Sequence, residues 1–279
     1  MKPPQIILSL LGLLALLSTG SAEAQISPIT PLQFVPPDAP ERGRPPGRHQ
    51  GGASRGGCSV EGQPPLTAII PFLESETADG VEAANTEATD KDATSATRSL
   101  TSRSDVFSLT TQAYPSFWFY VPYSLETTPL EFVLQDDNDN TLYQELVSID
   151  VSESELDEGS SGIIQVTLPS AAPALEPGMA YRWFFLSYCD NDDPSFVEGQ
   201  IVRSPLPAAA DTLATATPRE QAFFYAQNSI WQETLTVWGE HYKENSTDAA
   251  VSRDWESLLE SVNLGHLAEQ PLVNCCSLE

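Results

Sequence analysis

The sequence predicts a mainly β chain with added α structure: an immunoglobulin-like β-sandwich over residues 58–204, then a small helical module over residues 205–279. Three observations carry this. From Asp105 onward, short β-rich runs alternate with turn residues, and no helical pattern interrupts them. After Pro207 the apolar period changes to that of a helix. Trp183 sits on the longest apolar strand, close to Cys189, as suits a sandwich core built around a tryptophan and a disulfide.

The N-terminus is arranged in export order. Lys2 supplies a positive end, an apolar run extends from Ile6 to Leu17, and Ala22-Glu23-Ala24 forms a small-x-small cleavage site. The run is too short for a spanning helix, which needs about 20 apolar residues. Residues 1–24 therefore read as a signal peptide, and the mature chain is expected to be soluble and to work in the periplasm or outside the cell. No cysteine follows the cleavage site, so a lipid anchor is not expected. The chain carries 39 acidic and 13 basic residues, a net charge of −26. Such a surface repels nucleic acid and anionic lipid, and no membrane span remains after cleavage.

Residues 25–57 read as a Pro/Gly/Arg-rich linker, because Pro31, Pro36, Pro37, Pro40, Pro45 and Pro46 precede a Gly-rich run. That run gathers Arg42, Arg44, Arg48 and Arg55, which suit an anionic polymer, the chain's own acidic body or simply solvent. Leu66–Pro71 looks like a strand. Residues 74–104 are rich in Ser, Thr, Ala, Glu and Asp and lack aromatics, the composition of a disordered insertion.

Strands are then expected at Val106–Leu109, Phe117–Val121, Glu131–Gln135, Thr141–Val147, Ile163–Leu168, Tyr181–Tyr188 and Glu198–Arg203. Asp136–Asn140 is made of residues that tolerate tight turns, and so predicts a hairpin. Thr217-Pro218-Arg219-Glu220 predicts a helix start with a capping box. Asn228-Ser229 ends that helix. Trp231, Leu235, Trp238 and Tyr242 mark a second, and Val251, Trp255, Leu258, Leu259 and Val262 a third. The trio is similar to about one and a half tetratricopeptide-type repeats.

Four cysteines, Cys58, Cys189, Cys275 and Cys276, allow three pairings in an oxidising compartment. A vicinal bridge is geometrically demanding, so Cys275 and Cys276 are not expected to bond each other. Cys58–Cys189 is the preferred pair. No C-x-x-C, H-E-x-x-H or G-x-S-x-G occurs, so zinc and α/β-hydrolase chemistry lack their required groups. The histidines His49, His241 and His266 fall in the linker, on a helix and past a helix end.

Two acidic clusters have donors suited to Ca²⁺: Asp136, Asp137 and Asp139, and Asp190, Asp192 and Asp193. The first fails the helix–loop–helix calcium pattern, with Thr141 where glycine is needed and Val147 where a bidentate glutamate is needed. A hairpin turn and a solvated loop are the simpler readings, and no cofactor is expected. The run from Phe117 to Tyr123 is apolar on both faces. Either the C-terminal helices cover it, or Trp118, Tyr120 and Tyr123 form a glycan-stacking platform.

Several segments in order carry a family resemblance: RGGC at 55–58, LTAIIP at 66–71, FWFYVPY at 117–123, EFVLQDDNDNTLY at 131–143, YRWFFLSYCD at 181–190 and FVEGQI at 196–201. With YAQNSIWQETL at 225–235 and WESLLESVNL at 255–264, the chain resembles the cyanobacterial family of domain of unknown function 928 over about residues 50–276. The resemblance implies a cyanobacterial source and export, and it lends no catalytic residue. Cys58 and Cys189 both lie in its motifs. The acidic insertion and the Cys275-Cys276 pair depart from it.

The expected function is a non-catalytic extracytoplasmic interaction module of the bacterial envelope or exoproteome, binding an envelope protein or polysaccharide. A carbohydrate-binding sandwich with exposed aromatics, assisted by Ca²⁺, is the alternative, and a hydrolase comes third.

Overall fold

In the computed structural model, the described residues are 30–37, 48, 50, 60–74, 104–149, 161–189, 194–208 and 210–279. The signal peptide, most of the linker, Cys58, residues 75–103 of the acidic insertion, and Asp190, Asp192 and Asp193 lie outside them. The strands are β1 (Thr67–Ala68), β2 (Phe72–Glu74), β3 (Ser104–Thr110), β4 (Ser116–Val121), β5 (Leu130–Gln135) and β6 (Thr141–Leu146). They continue with β7 (Ser148–Ile149), β8 (Gly162–Thr167), β9 (Ala180–Ser187) and β10 (Ser195–Arg203). Three helices follow, α1 (Pro218–Gln227), α2 (Trp231–Asn245) and α3 (Ala249–Glu260), then the short strands β11 (Leu272–Val273) and β12 (Cys276–Ser277). The class is mixed β plus α, with the helices C-terminal. Pro31–Glu279 forms one compact unit.

A six-stranded sheet runs in the order β2-β3-β10-β9-β5-β6, and a four-stranded sheet in the order β1-β4-β8-β11. Most pairings are antiparallel. The exceptions are β3 with β10 and β8 with β11, which run parallel. Strand β9 shows why the sequence makes a sheet here. Its burial alternates residue by residue, so Tyr181, Trp183, Phe185 and Ser187 point inward while Arg182, Phe184 and Leu186 face outward. Gly199 of β10 stands opposite Trp183, and a Cβ there would lie 2.5 Å from the indole Cζ2. The missing side chain makes room for the ring.

Strand β4 joins the layers because it is buried on both faces. Phe117 and Phe119 point toward the six-stranded sheet. Phe119 stacks on Phe185 at 3.8 Å between centroids, and Phe117 meets Phe132 at 4.8 Å and Trp183 at 5.8 Å. Trp118 points the other way, into α2, where its Nε1 donates to Thr236 Oγ1 at 3.2 Å. The helices thus cover the face of β4 that the facing sheet leaves open.

The helices begin where their caps dictate. The Thr217 side chain accepts from the Glu220 N–H, and the Glu220 carboxylate accepts from the Thr217 N–H, closing the capping box ahead of α1. Asp248 caps α3 through the Ala250 N–H at 2.7 Å. Helix α2 has no side-chain cap. Its first residues, Trp231 to Leu235, are all buried, and the Trp231 Nε1 donates to the Ile69 carbonyl at 2.8 Å.

Part of the stretch read as a linker contributes to the core. Leu32 is wholly buried and Phe34 is 5% exposed. The Leu32 N–H donates to Asp254 Oδ1, the Phe34 N–H to Ser261 Oγ, and the Val35 N–H to the Ala226 carbonyl. The prolines that exclude regular structure leave an extended chain whose alternate side chains can still insert between helices. Farther along, Arg48 exchanges two backbone hydrogen bonds with Glu198 and lays its guanidinium 4.4 Å from the Phe196 ring centre. The basic run therefore meets the chain's own body at that residue.

Candidate functional site

A cleft of about 220 Å³ opens where the end of β3 and the following turn meet α1 and α2. Its most unusual member is Glu233, in the first turn of α2 and only 7% exposed. Oε1 of Glu233 accepts four hydrogen bonds: from Thr110 Oγ1 at 2.8 Å, the Thr111 N–H at 2.7 Å, Thr111 Oγ1 at 3.0 Å and the Gln112 N–H at 3.1 Å. These bonds pin the helix to the strand end and satisfy two backbone donors that have left the sheet ladder. Oε2 is buried and has no hydrogen-bond partner among the described residues. No basic side chain forms an ion pair with Glu233 among the described residues.

Tyr225 of α1 also lines the cleft. Burial, and next the charge of Glu233, push its phenol above the usual value, so it stays protonated and able to donate. Tyr114 stands at the rim, 37% exposed, beside Pro115 and Val237. The cleft mixes ring and aliphatic surface from Tyr114, Pro115 and Val237 with polar side chains such as Gln112, Ser116 and Thr236. Sequence reasoning missed Glu233, and its spacing offers little to find it by. Glu240 lies two turns on along the same helical face and is exposed.

The acidic cluster at 136–140 is a turn. Asp136 Oδ1 accepts from the Asn138 and Asn140 N–H groups, both at 2.9 Å, and Oδ2 accepts from the Asn140 amide. The bonds from Asn140, and then those from Asn138, hold the Asp136 carboxyl below its ordinary range. Asp139 adopts a φ of 61° to close the hairpin. Its carboxylate pairs with Arg182 at 3.2 Å, and Arg182 also pairs with Glu198 at 2.9 Å. Asp137 accepts from the Asn138 side chain. No group of three or more His, Cys, Asp or Glu side chains is placed to hold a metal among the described residues.

The aromatics considered as a glycan platform are covered, which corrects that expectation. Trp118 is 2% exposed, Tyr120 fully buried and Tyr123 6% exposed. Trp118 is sealed by α2, and the Tyr120 hydroxyl donates to Gln63 Oε1 at 2.8 Å. A stacking platform needs a ring face open to solvent, and none of the three has one.

The cysteines need a second correction. Cys275 and Cys276 are bonded to each other, with Cα atoms 3.7 Å apart. The geometric bias against vicinal bridges makes them rare without forbidding them. Cys189 is disulfide-bonded as well, and Cys58, its expected partner, lies outside the described residues.

Asp254 of α3 and Arg219 of α1 form an ion pair that serves packing. Asp254 is 6% exposed and accepts from Arg219 Nε at 2.6 Å, while the Arg219 guanidinium lies 4.7 Å from the Phe223 ring centre. His241 sits against the Trp238 ring at 5.0 Å between centroids. No helix among the described residues is long and apolar enough to cross a membrane.

One family model matches the chain, the Domain of Unknown Function 928, over residues 50–272. That is most of the chain, which belongs to this family. No curated protein and no solved structure matches it.

Proposed function

We propose that this member of the domain-of-unknown-function 928 family is a non-catalytic extracytoplasmic interaction module of the bacterial envelope or exoproteome, and that it binds through the edge of its larger sheet. The observation that carries this is strand β6. It ends the six-stranded sheet, pairs only with β5 among the described residues, and leaves Leu146 55% exposed. An open strand edge is a template for a further strand, so an extended segment of a partner can add to it. Glu145 and the C-terminal Glu279 flank that edge, and their charges contribute to pushing the Tyr143 phenol up, after burial. An acidic edge on a chain of net charge −26 favours a basic segment.

Export is supported by the leader pattern and by disulfide-bonded cysteines, which persist in oxidising compartments. We infer further that the two sheets form an immunoglobulin-like sandwich. The ring contacts from Phe117 and Phe119 to Trp183 and Phe185 support this, and the two parallel pairings are its departures from an all-antiparallel plan.

The test is photo-crosslinking of the full-length protein in its native envelope, with the reactive group at position 146 or, as a control, at exposed Met179. The reading expects one protein adduct specific to position 146, lost on Glu145→Lys and weakened by salt. Equal adducts at both positions would sink it, as would turnover of an envelope polymer by the purified chain.

A further inference from the structure

We propose that the cleft between the end of β3 and helices α1 and α2 binds a single neutral pyranose sugar. It shares no residue with the β6 edge, nor with the covered trio Trp118, Tyr120 and Tyr123. The cleft offers unspent hydrogen-bond capacity beside an open aromatic ring. Tyr114 stands at the rim, 37% exposed, and Tyr225 lines the cleft from α1. Neither phenol has a hydrogen-bond partner among the described residues. The Gln112 amide has none either, since only the backbone of that residue is engaged. A phenol taken out of water normally finds a partner, so the half-buried Tyr225 hydroxyl is a donor and acceptor left over by the fold. Thr236 Oγ1 accepts from Trp118 Nε1 at 3.2 Å, which leaves its own proton to donate. Ser116 Oγ is fixed by Thr167 Oγ1 at 2.8 Å and by Gln165 Nε2 at 3.2 Å.

These walls decide between classes of occupant. No Lys, Arg or His lines the cleft, so an anion finds no counter-charge in it. Glu233 is charged, but Oε1 is filled by four donors and Oε2 is closed to contact, so a cation gains no bond from it. A wholly apolar body would cut the amide, phenol and hydroxyl groups off from water without replacing their bonds. A sugar ring meets both kinds of surface. Its C–H face packs on the Tyr114 ring, and its hydroxyls, each a donor and an acceptor, pair with Gln112, Tyr225 and Thr236. The volume of about 220 Å³ has room for one such ring.

The probes are the methyl pyranosides of glucose, galactose, mannose and N-acetylglucosamine, titrated into the full-length protein and followed by ligand-observed NMR. At least one should bind saturably. Methyl glucuronoside adds a charge and cyclohexylmethanol lacks the ring hydroxyls, so both should bind about tenfold more weakly or worse. Tyr114→Ala removes the open ring and Gln112→Ala the amide. Both positions are exposed, so the fold should persist, and each change should weaken binding by about tenfold. Met179→Ala, exposed and outside the cleft, should leave it unchanged. No saturable response to any of the pyranosides overturns the proposal. So does binding that either cleft variant leaves unchanged, or a glucuronoside or cyclohexylmethanol that binds as tightly as the best neutral sugar.

Discussion

The Trp118 indole occupies the space that a side chain at position 239 would need: a Cβ on Gly239 would stand 2.7 Å from Trp118 Cη2. Helix α2 approaches strand β4 this closely because position 239 carries only hydrogen. In an exposed helix, alanine in place of glycine would gain about 1 kcal/mol. Here overpacking against a ring that is itself fixed should cost about 1–3 kcal/mol and outweigh that gain. Gly239→Ala should therefore lower the denaturation midpoint. Trp118→Ala should cost about 3–5 kcal/mol. The double variant should lose less than the sum, since the new methyl enters the space the indole vacates. Strict additivity in chemical denaturation would show that the two residues do not share one packing site.

Glu233 allows a similar separation of roles. Glu233→Ala strips an acceptor from the half-buried Thr111 N–H, at about 1–3 kcal/mol, while the Gln112 N–H keeps its bond to Thr110 Oγ1 at 3.1 Å. Glu233→Gln retains an acceptor and should keep most of the stability. Hydrogen exchange at Thr111 should quicken markedly in the alanine variant and little in the glutamine one, while Gln112, which also donates to Thr110 Oγ1, should change less. Unchanged exchange in both would mean that the strand end is held by something else.

What the sequence made legible was local. The Thr217–Glu220 box, the Asp136–Asn140 turn and the spacing of Trp231, Leu235 and Trp238 are short-range signals, and the elements they predict lie where expected. The double-sided burial of β4 was also readable, since an apolar strand without alternation needs cover on both faces. The parallel pairings of β3 with β10 and β8 with β11 were not. They join strands distant in sequence, and no turn chemistry announces them. The role of Glu233 was hidden for the same reason: its partners Thr110, Thr111 and Gln112 lie more than 120 residues away in the chain.

The Tyr188 hydroxyl donates to Glu131 Oε2 at 2.6 Å, and this bond, with burial and the carboxylate's charge, pushes the phenol up to about 12. An unfolded tyrosine titrates near 10. A raised folded value means that the contribution to stability is present in full below about pH 10 and is lost as pH rises through about 12. Phenolate absorbance should show Tyr188 among the late-titrating tyrosines, and Glu131→Gln should return that one component toward the ordinary range. A Tyr188 that titrates normally in the wild type would contradict the bond.

Peptide mapping without reduction should recover Cys275 and Cys276 in a single C-terminal peptide, closed on itself and lacking two hydrogens. Cys189 should appear joined to Cys58. That second bridge closes a long loop and should stabilise by about 3–5 kcal/mol in the chain-entropy picture. A peptide that links Cys275 or Cys276 to either of the other two cysteines would overturn the assignment.

The segment from Pro31 to Pro37 gives the last prediction. Composition alone classes it as a spacer, yet Phe34 packs edge-on against Trp231 at 5.0 Å and its N–H is held by Ser261 of the turn after α3. Leu32, wholly buried, is tied to Asp254, the same carboxylate that receives Arg219 of α1. One short extended stretch therefore touches all three helices through buried groups. Phe34→Ala should cost about 3–5 kcal/mol, as removal of a buried ring does. For a chain of this size that lowers Tm by roughly 6–20 °C. Pro36→Ala, at an exposed position, should change Tm little. A mature chain shortened to begin after Pro37 should melt at least as early as Phe34→Ala, because it also loses the bonds to Asp254 and Ala226. If the shortened chain melts like the full one, the segment is the spacer its composition suggests, and the helices hold together without it.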